Sequence, residues 1–132
     1  MKKVLLRGTT NSSNWRGRLV CLFDYRSVHF FHYSFDNEQV NLDKEIISDV
    51  VIYGITPLET NFSQLLFDLA HSIEALNSTV ILMVFDSDVT IDNDYCEWDS
   101  ENEKNLTVIK KYAESKGCVV VSHIDQLKKL LV

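Results

Sequence analysis

Apolar residues in this chain fall in short runs separated by polar stretches, and the runs alternate between strand and helix spacing. Residues 4–6, Val4-Leu5-Leu6, read as a short first strand. Residues 9–13 are polar loop, and Ser13 or Asn14 can cap a helix through Trp15, Leu19 and Phe23. Residues 27–35 carry Val28, Phe30, Phe31, Tyr33 and Phe35, the aromatic and β-branched enrichment of a second strand. Residues 36–41 are polar, and residues 42–48 read as a short helical turn or loop. Residues 49–55 are apolar on both faces, as a central parallel strand requires. Thr56-Pro57 stops that strand, because Pro57 has no backbone N–H to donate.

Residues 61–76 form the clearest helix, with Leu65, Leu66, Leu69, Ile73 and Leu76 on one stripe. Residues 79–85 are another near-continuous apolar strand. A helix follows over residues 102–115, with Leu106, Ile109, Lys110 and Ala113 on one side and Lys116-Gly117 as its stop. Residues 118–121 are the last strand. A terminal helix over residues 125–131 carries Asp125 at the favourable end of its dipole. Strands alternating with helices predict a single α/β domain over residues 1–132. It has three layers and a mostly parallel five-stranded sheet covered on both faces, with right-handed crossovers.

Composition narrows this picture. The 132 residues suffice for one core but not for two full domains. Net charge is -6, from 13 basic and 19 acidic residues. Residues 86–103 hold Asp86, Asp88, Asp92, Asp94, Glu97, Asp99, Glu101 and Glu103 with no Lys or Arg, which reads as an acidic solvated loop. Such a balance argues against a broad nucleic-acid surface, which needs clustered cations, but permits one small anionic ligand. The cysteines, Cys21, Cys96 and Cys118, are odd in number and show no zinc spacing, so free thiols in a reducing compartment are expected. The apolar run after Met1-Lys2-Lys3 is too short for a signal peptide, and no stretch approaches a membrane span. A cytoplasmic protein without a membrane partner is the resulting expectation.

Candidate chemistry gathers where strands end, because ligands of open α/β sheets bind outside that edge. Gly8 permits a tight turn or close backbone approach, and Thr9, Thr10, Ser12 and Ser13 offer hydroxyls. Trp15 can pack or stack on a base, and Arg7, Arg16 and Arg18 can meet a phosphate or form internal salt bridges. Neither the GxGxxG fingerprint nor a phosphate-loop Lys-Ser/Thr is present. The second loop, residues 55–63, contributes Thr56, Glu59 and Ser63, with Glu59 able to reach a sugar hydroxyl. Asp68 stands too far into the following helix to be catalytic. Asp86 and Asp88, past the fourth strand, can bind ribose hydroxyls or a divalent cation, though a lone DxD is not a metal signature. His29, His32, His71 and His123 are scattered and form no catalytic or metal pattern. No cofactor and no metal site are implied.

The apolar strand ending in Gly8, the small polar stretch and Asn14-Trp15-Arg16 resemble the start of nucleoside 2-deoxyribosyltransferase-like proteins. Ser48-Asp49 through Ile55-Thr56-Pro57 resembles that family's next landmark, an aspartate before an apolar strand ending in Ile-Thr-Pro. Asn61-Phe62-Ser63 matches its helix opening, and the resemblance spans about residues 3–85. It implies a flavodoxin-like, Rossmann-like fold and a nucleoside or nucleotide pocket, often completed by a partner in a homo-oligomer. Family enzymes cleave the N-glycosidic bond of a deoxynucleoside with a carboxylate nucleophile. That glutamate stands three residues after the helix-opening serine, where this chain has Leu66. A leucine cannot trap or stabilise an oxocarbenium ion. Glu59 is the substitute candidate nucleophile if its loop folds inward, and Asp68 the second if the register differs.

The first functional expectation is therefore a nucleoside- or nucleotide-binding protein that lacks the family's chemistry. It would use the loops at Gly8–Arg16, Thr56–Ser63 and Asp86–Asp88. An active deoxyribosyltransferase or nucleoside hydrolase using Glu59 is the alternative. A regulatory interaction module, with Tyr95 and Trp98 of the acidic loop as anchors, is the third class, and Trp98 can equally fold back onto the core.

Overall fold

A computed structural model describes residues 2–9, 15–24, 26–32, 38–75, 79–85, 90–91, 94–95 and 97–131. The chain runs β1 (Lys2–Gly8), α1 (Trp15–Val20), β2 (Val28–His32), α2 (Glu38–Ile47), β3 (Val50–Ile55) and α3 (Phe62–Ala75). It continues with β4 (Thr79–Val84), β5 (Thr90–Ile91), β6 (Asp94–Tyr95), α4 (Ser100–Ser115), β7 (Val119–Val121) and α5 (Ile124–Leu131).

Strand order in the main sheet is β2-β1-β3-β4-β7, and each neighbouring pair is parallel. This is the three-layer, doubly wound arrangement of flavodoxin-like and Rossmann-like α/β folds. The sheet forms because β1, β3 and β4 carry apolar side chains on both faces and can be buried between helical layers. One layer joins Val4, Leu6, Ile52, Ile81 and Met83 to Trp15 and Leu19 of α1 and to Leu127 and Leu131 of α5. The opposite layer joins Leu5, Val51, Tyr53 and Leu82 to Leu65 and Leu69 of α3 and to Leu106, Ile109 and Ala113 of α4. The helices after β1 and β3 thus lie on opposite faces, so the chain reverses its winding between these adjacent strands.

Several elements differ from the pattern-based expectation. α2 is a ten-residue helix where a short turn or loop over residues 42–48 is predicted. Among its described side chains Asn41 and Glu45 are buried, while Ile46 and Ile47 are exposed, so these positions show no apolar stripe. The second strand is described over Val28–His32, and its expected continuation to Phe35 lies outside the described residues. The acidic segment is not a single loop. Thr90–Ile91 pairs antiparallel with Asp94–Tyr95, and α4 begins at Ser100. The Asp99 carboxylate accepts from Asn102 N–H at 2.7 Å, and Glu101 and Glu103 occupy the first turn of α4. Negative charge is favourable there, so three of these acids serve a helix start. Trp98 is half-buried and packs against the α3/α4 layer. Among the described residues, no helix is long and apolar enough to cross a membrane.

Candidate functional site

The winding reverses between β1 and β3, and the carboxyl edge at such a point is where open α/β sheets take ligands, which makes it the candidate crevice; the expected loops after β1 and β3 leave from there. Gly8 pairs with Gly54 across the two strands. Gly8 has φ 112°, and a Cβ there would sit 2.0 Å from the Gly54 carbonyl oxygen, so only glycine fits. Thr9 N–H donates to that carbonyl at 2.8 Å. The Thr9 hydroxyl oxygen then accepts from Thr56 N–H at 3.0 Å. Thr56 turns its own hydroxyl oxygen to Leu58 N–H at 3.3 Å. Both threonines are fully buried; the Thr9 hydroxyl ties the two strand ends together, and the Thr56 hydroxyl shapes the turn after β3.

Trp15 opens α1 and lies beneath this rim, 1% exposed. Its Nε1–H donates to the Thr9 carbonyl oxygen at 2.8 Å. Its benzo ring rests on Gly54, and its indole meets Phe85 with centroids 5.5 Å apart and planes tilted by 50°. The indole therefore packs the end of the sheet and has little surface left for a base. Arg16 follows it at the crevice. The guanidinium carbon lies 5.0 Å from the Trp15 ring centroid, and Nη2 donates to the Gly8 carbonyl oxygen at 3.3 Å. Arg16 Nε is buried and has no hydrogen-bond partner among the described residues. Burial lowers the pKa of this guanidinium from its usual value.

The other rim is the loop after β3. Glu59 is 8% exposed, and its Oε1 accepts from Thr60 N–H at 3.1 Å and Asn61 N–H at 2.9 Å. Asn61 Oδ1 then accepts from Gln64 N–H at 3.1 Å, capping α3. This carboxylate, the candidate nucleophile, is engaged in shaping the loop that starts α3. Ser63 is exposed in the first turn of α3. Leu66 packs with the apolar α3/α4 layer. Thr10, Asp86 and Asp88 lie outside the described residues, as do the side chains of His32 and Tyr95. Among the described residues, no cluster of His, Cys, Asp or Glu is arranged to hold a metal ion.

Below the crevice, on the α2/α3 side, stands a polar cluster that pattern reading did not assemble. Arg7 is 6% exposed and pairs with Glu45 of α2. Its Nη1 also donates to Tyr53 Oη at 2.5 Å and, less closely, to Ser72 Oγ at 3.3 Å. Asp68 of α3 approaches Arg7 Nη2 at 3.4 Å and accepts from Gln64 Nε2 at 2.9 Å. Tyr53 O–H donates to the Asp68 carbonyl oxygen at 2.9 Å, which leaves the Ser72 hydroxyl to donate to Tyr53 across 2.6 Å. Burial pushes the Tyr53 phenol well above its ordinary pKa, against the pull of the Arg7 charge. Arg7 is thus a neutralised internal cation, and Asp68 serves it. The available signal was a lone arginine in the apolar strand Val4-Leu5-Leu6-Arg7, since a buried charge must be paired.

Comparison with protein-family models, with curated proteins and with solved structures gives no match to this chain.

Proposed function

We propose that this protein binds a nucleoside or nucleotide in the crevice between the ends of β1 and β3. In this reading it is a deoxyribosyltransferase-like protein without the family's glutamate nucleophile. The observation that carries the reading is the Trp15–Arg16 pair, seated on Gly8 and Gly54 at the point where the sheet reverses its winding. Crevices at such points are where open α/β sheets take their ligands. The backbone approach of Gly8 to Gly54 and the Thr9–Thr56 bond make the rim rigid, so a ligand meets a preformed wall. Binding without glycosidic cleavage follows from two side chains. Leu66 packs with apolar neighbours, and the Glu59 carboxylate braces backbone N–H groups.

The test is a titration with the common deoxynucleosides and their monophosphates, read by calorimetry, with chromatography of the same mixtures for free base. Saturable binding of at least one compound with no base released is the expected result. Absence of binding across the set would overturn the reading. Base release that disappears in Glu59→Gln would replace it with the glycosidic enzyme.

A further inference from the structure

We propose that the ligand of the β1/β3 crevice carries a phosphate monoester and that the Arg16 guanidinium receives it; this rests on the small-molecule binding proposed above. Arg16 differs from Arg7, the buried arginine of β1. Arg7 is neutralised by Glu45 and Asp68, with Tyr53 and Ser72 as further acceptors. Arg16 is half-buried, and among the described residues it forms no salt bridge. Among the described residues it meets the Gly8 carbonyl and the Trp15 ring. A carbonyl dipole and a ring quadrupole orient a cation but do not cancel its charge. Desolvation is the cause that lowers its proton affinity.

A guanidinium stays protonated at any physiological pH, so this site carries a partly desolvated positive charge with a donor to spare. Arg16 Nε–H is that donor, buried and unpaired among the described residues. The Trp15 ring and the Gly8 carbonyl constrain the plane of the guanidinium before any ligand arrives. A planar, oriented cation with a free N–H suits a phosphate oxygen through charge-assisted hydrogen bonding. A neutral deoxynucleoside would leave both the charge and the donor unmet. A nucleoside monophosphate and a free pentose phosphate share the required group, so the probes must separate them.

The experiment titrates wild type, Arg16→Gln and, as a same-helix control, Arg18→Gln with four probes. These are a deoxynucleoside, its 5′-monophosphate, deoxyribose 5-phosphate and inorganic phosphate. The monophosphate should bind wild type about ten- to a hundredfold more tightly than the nucleoside, the range of a charge-assisted pair. That advantage should vanish in Arg16→Gln and persist in Arg18→Gln. Deoxyribose 5-phosphate binding that depends on Arg16, with no binding of the neutral nucleoside, keeps the phosphate site and overturns the nucleoside reading. Equal binding of nucleoside and monophosphate, or an advantage that survives Arg16→Gln, overturns the phosphate assignment and leaves the nucleoside reading in place. No binding of any probe overturns both.

A measurement on the wild type keeps the proposal testable if Arg16→Gln fails to fold. The Arg16 Nε–H resonance, assigned by its loss in Arg16→Lys, should move on adding the monophosphate and not on adding the nucleoside. A resonance unmoved by saturating monophosphate overturns the proposal.

Discussion

Gly54 lets the Trp15 indole lie directly against the backbone of β3. A Cβ at this position would stand 2.5 Å from Cη2, 2.6 Å from Cζ2 and 2.7 Å from Cζ3 of that ring. The indole cannot yield cheaply, since it is also held by its bond to the Thr9 carbonyl and by Phe85. Gly54→Ala should therefore destabilise the protein by about 1–3 kcal/mol, the usual cost of overpacking. Urea unfolding measures this, and an unchanged midpoint would show that the indole is not seated on the strand. At this scale Gly8 and Trp15 were legible, since a glycine ending an apolar strand and an aromatic opening a helix announce themselves. Gly54 was not, because nothing in Tyr53-Gly54-Ile55 says that an indole lies across it. The role of Glu59 was hidden for a similar reason. A carboxylate beside a ligand loop reads as chemistry until its partners, Thr60 N–H and Asn61 N–H, are known.

Among the elements, the start of α4 shows best how charge and helix formation meet. Asp99 accepts from Asn102 N–H, while Glu101 and Glu103 stand in the turn where the helix dipole favours them. Asp99→Ala should cost about 1 kcal/mol, and Asp99→Asn much less, because asparagine caps nearly as well. Thermal or urea unfolding of the pair checks this, and equal losses would mean that the cap is not what Asp99 supplies. The strands, α3 and most of α4 were legible from apolar runs and stripes. α2 was largely not, because its buried side carries Asn41 and Glu45 while its isoleucines face solvent. A helix that buries polar groups has no apolar period, and its place in the fold depends on the partner that satisfies those groups.

Across the whole molecule, the Arg7 cluster ties β1, β3, α2 and α3 together through one buried cation. Its phenol makes stability depend on alkaline pH, with a definite sign. Tyr53 has a raised pKa in the folded protein, whereas a tyrosine in the unfolded chain ionises near pH ~10. Below that pH both states keep the proton and the cluster's full contribution is present. Above it the unfolded chain loses the proton first, so stability falls with rising pH, by up to ~1.4 kcal/mol per unit from this group. Tyr53→Phe should be less stable than wild type near neutrality, since Arg7 loses an acceptor and the Asp68 carbonyl a donor. It should also decline less steeply between about pH 9 and pH 11. Urea midpoints across that range give both results, and parallel declines would show that Tyr53 is not a buried titrating phenol.

The sequence by itself determined the alternation of strands and helices, the central place of β3, the parallel sheet and the edge at which the candidate loops lie. These follow from local hydrophobic periodicity, because a side chain's tendency to leave water does not depend on which neighbour it meets. Tertiary structure alone decided which polar groups are spent and which remain. The partners of Arg7 stand 38, 46 and 65 residues away in the chain. Hydrogen bonds and ion pairs are directional and short-ranged, so their pairing is set by the assembled sheet and not by spacing along the chain. For that reason the opening segment offered a candidate loop from sequence, while only the fold separated Arg7, neutralised within the core, from Arg16, whose Nε–H lacks a partner among the described residues.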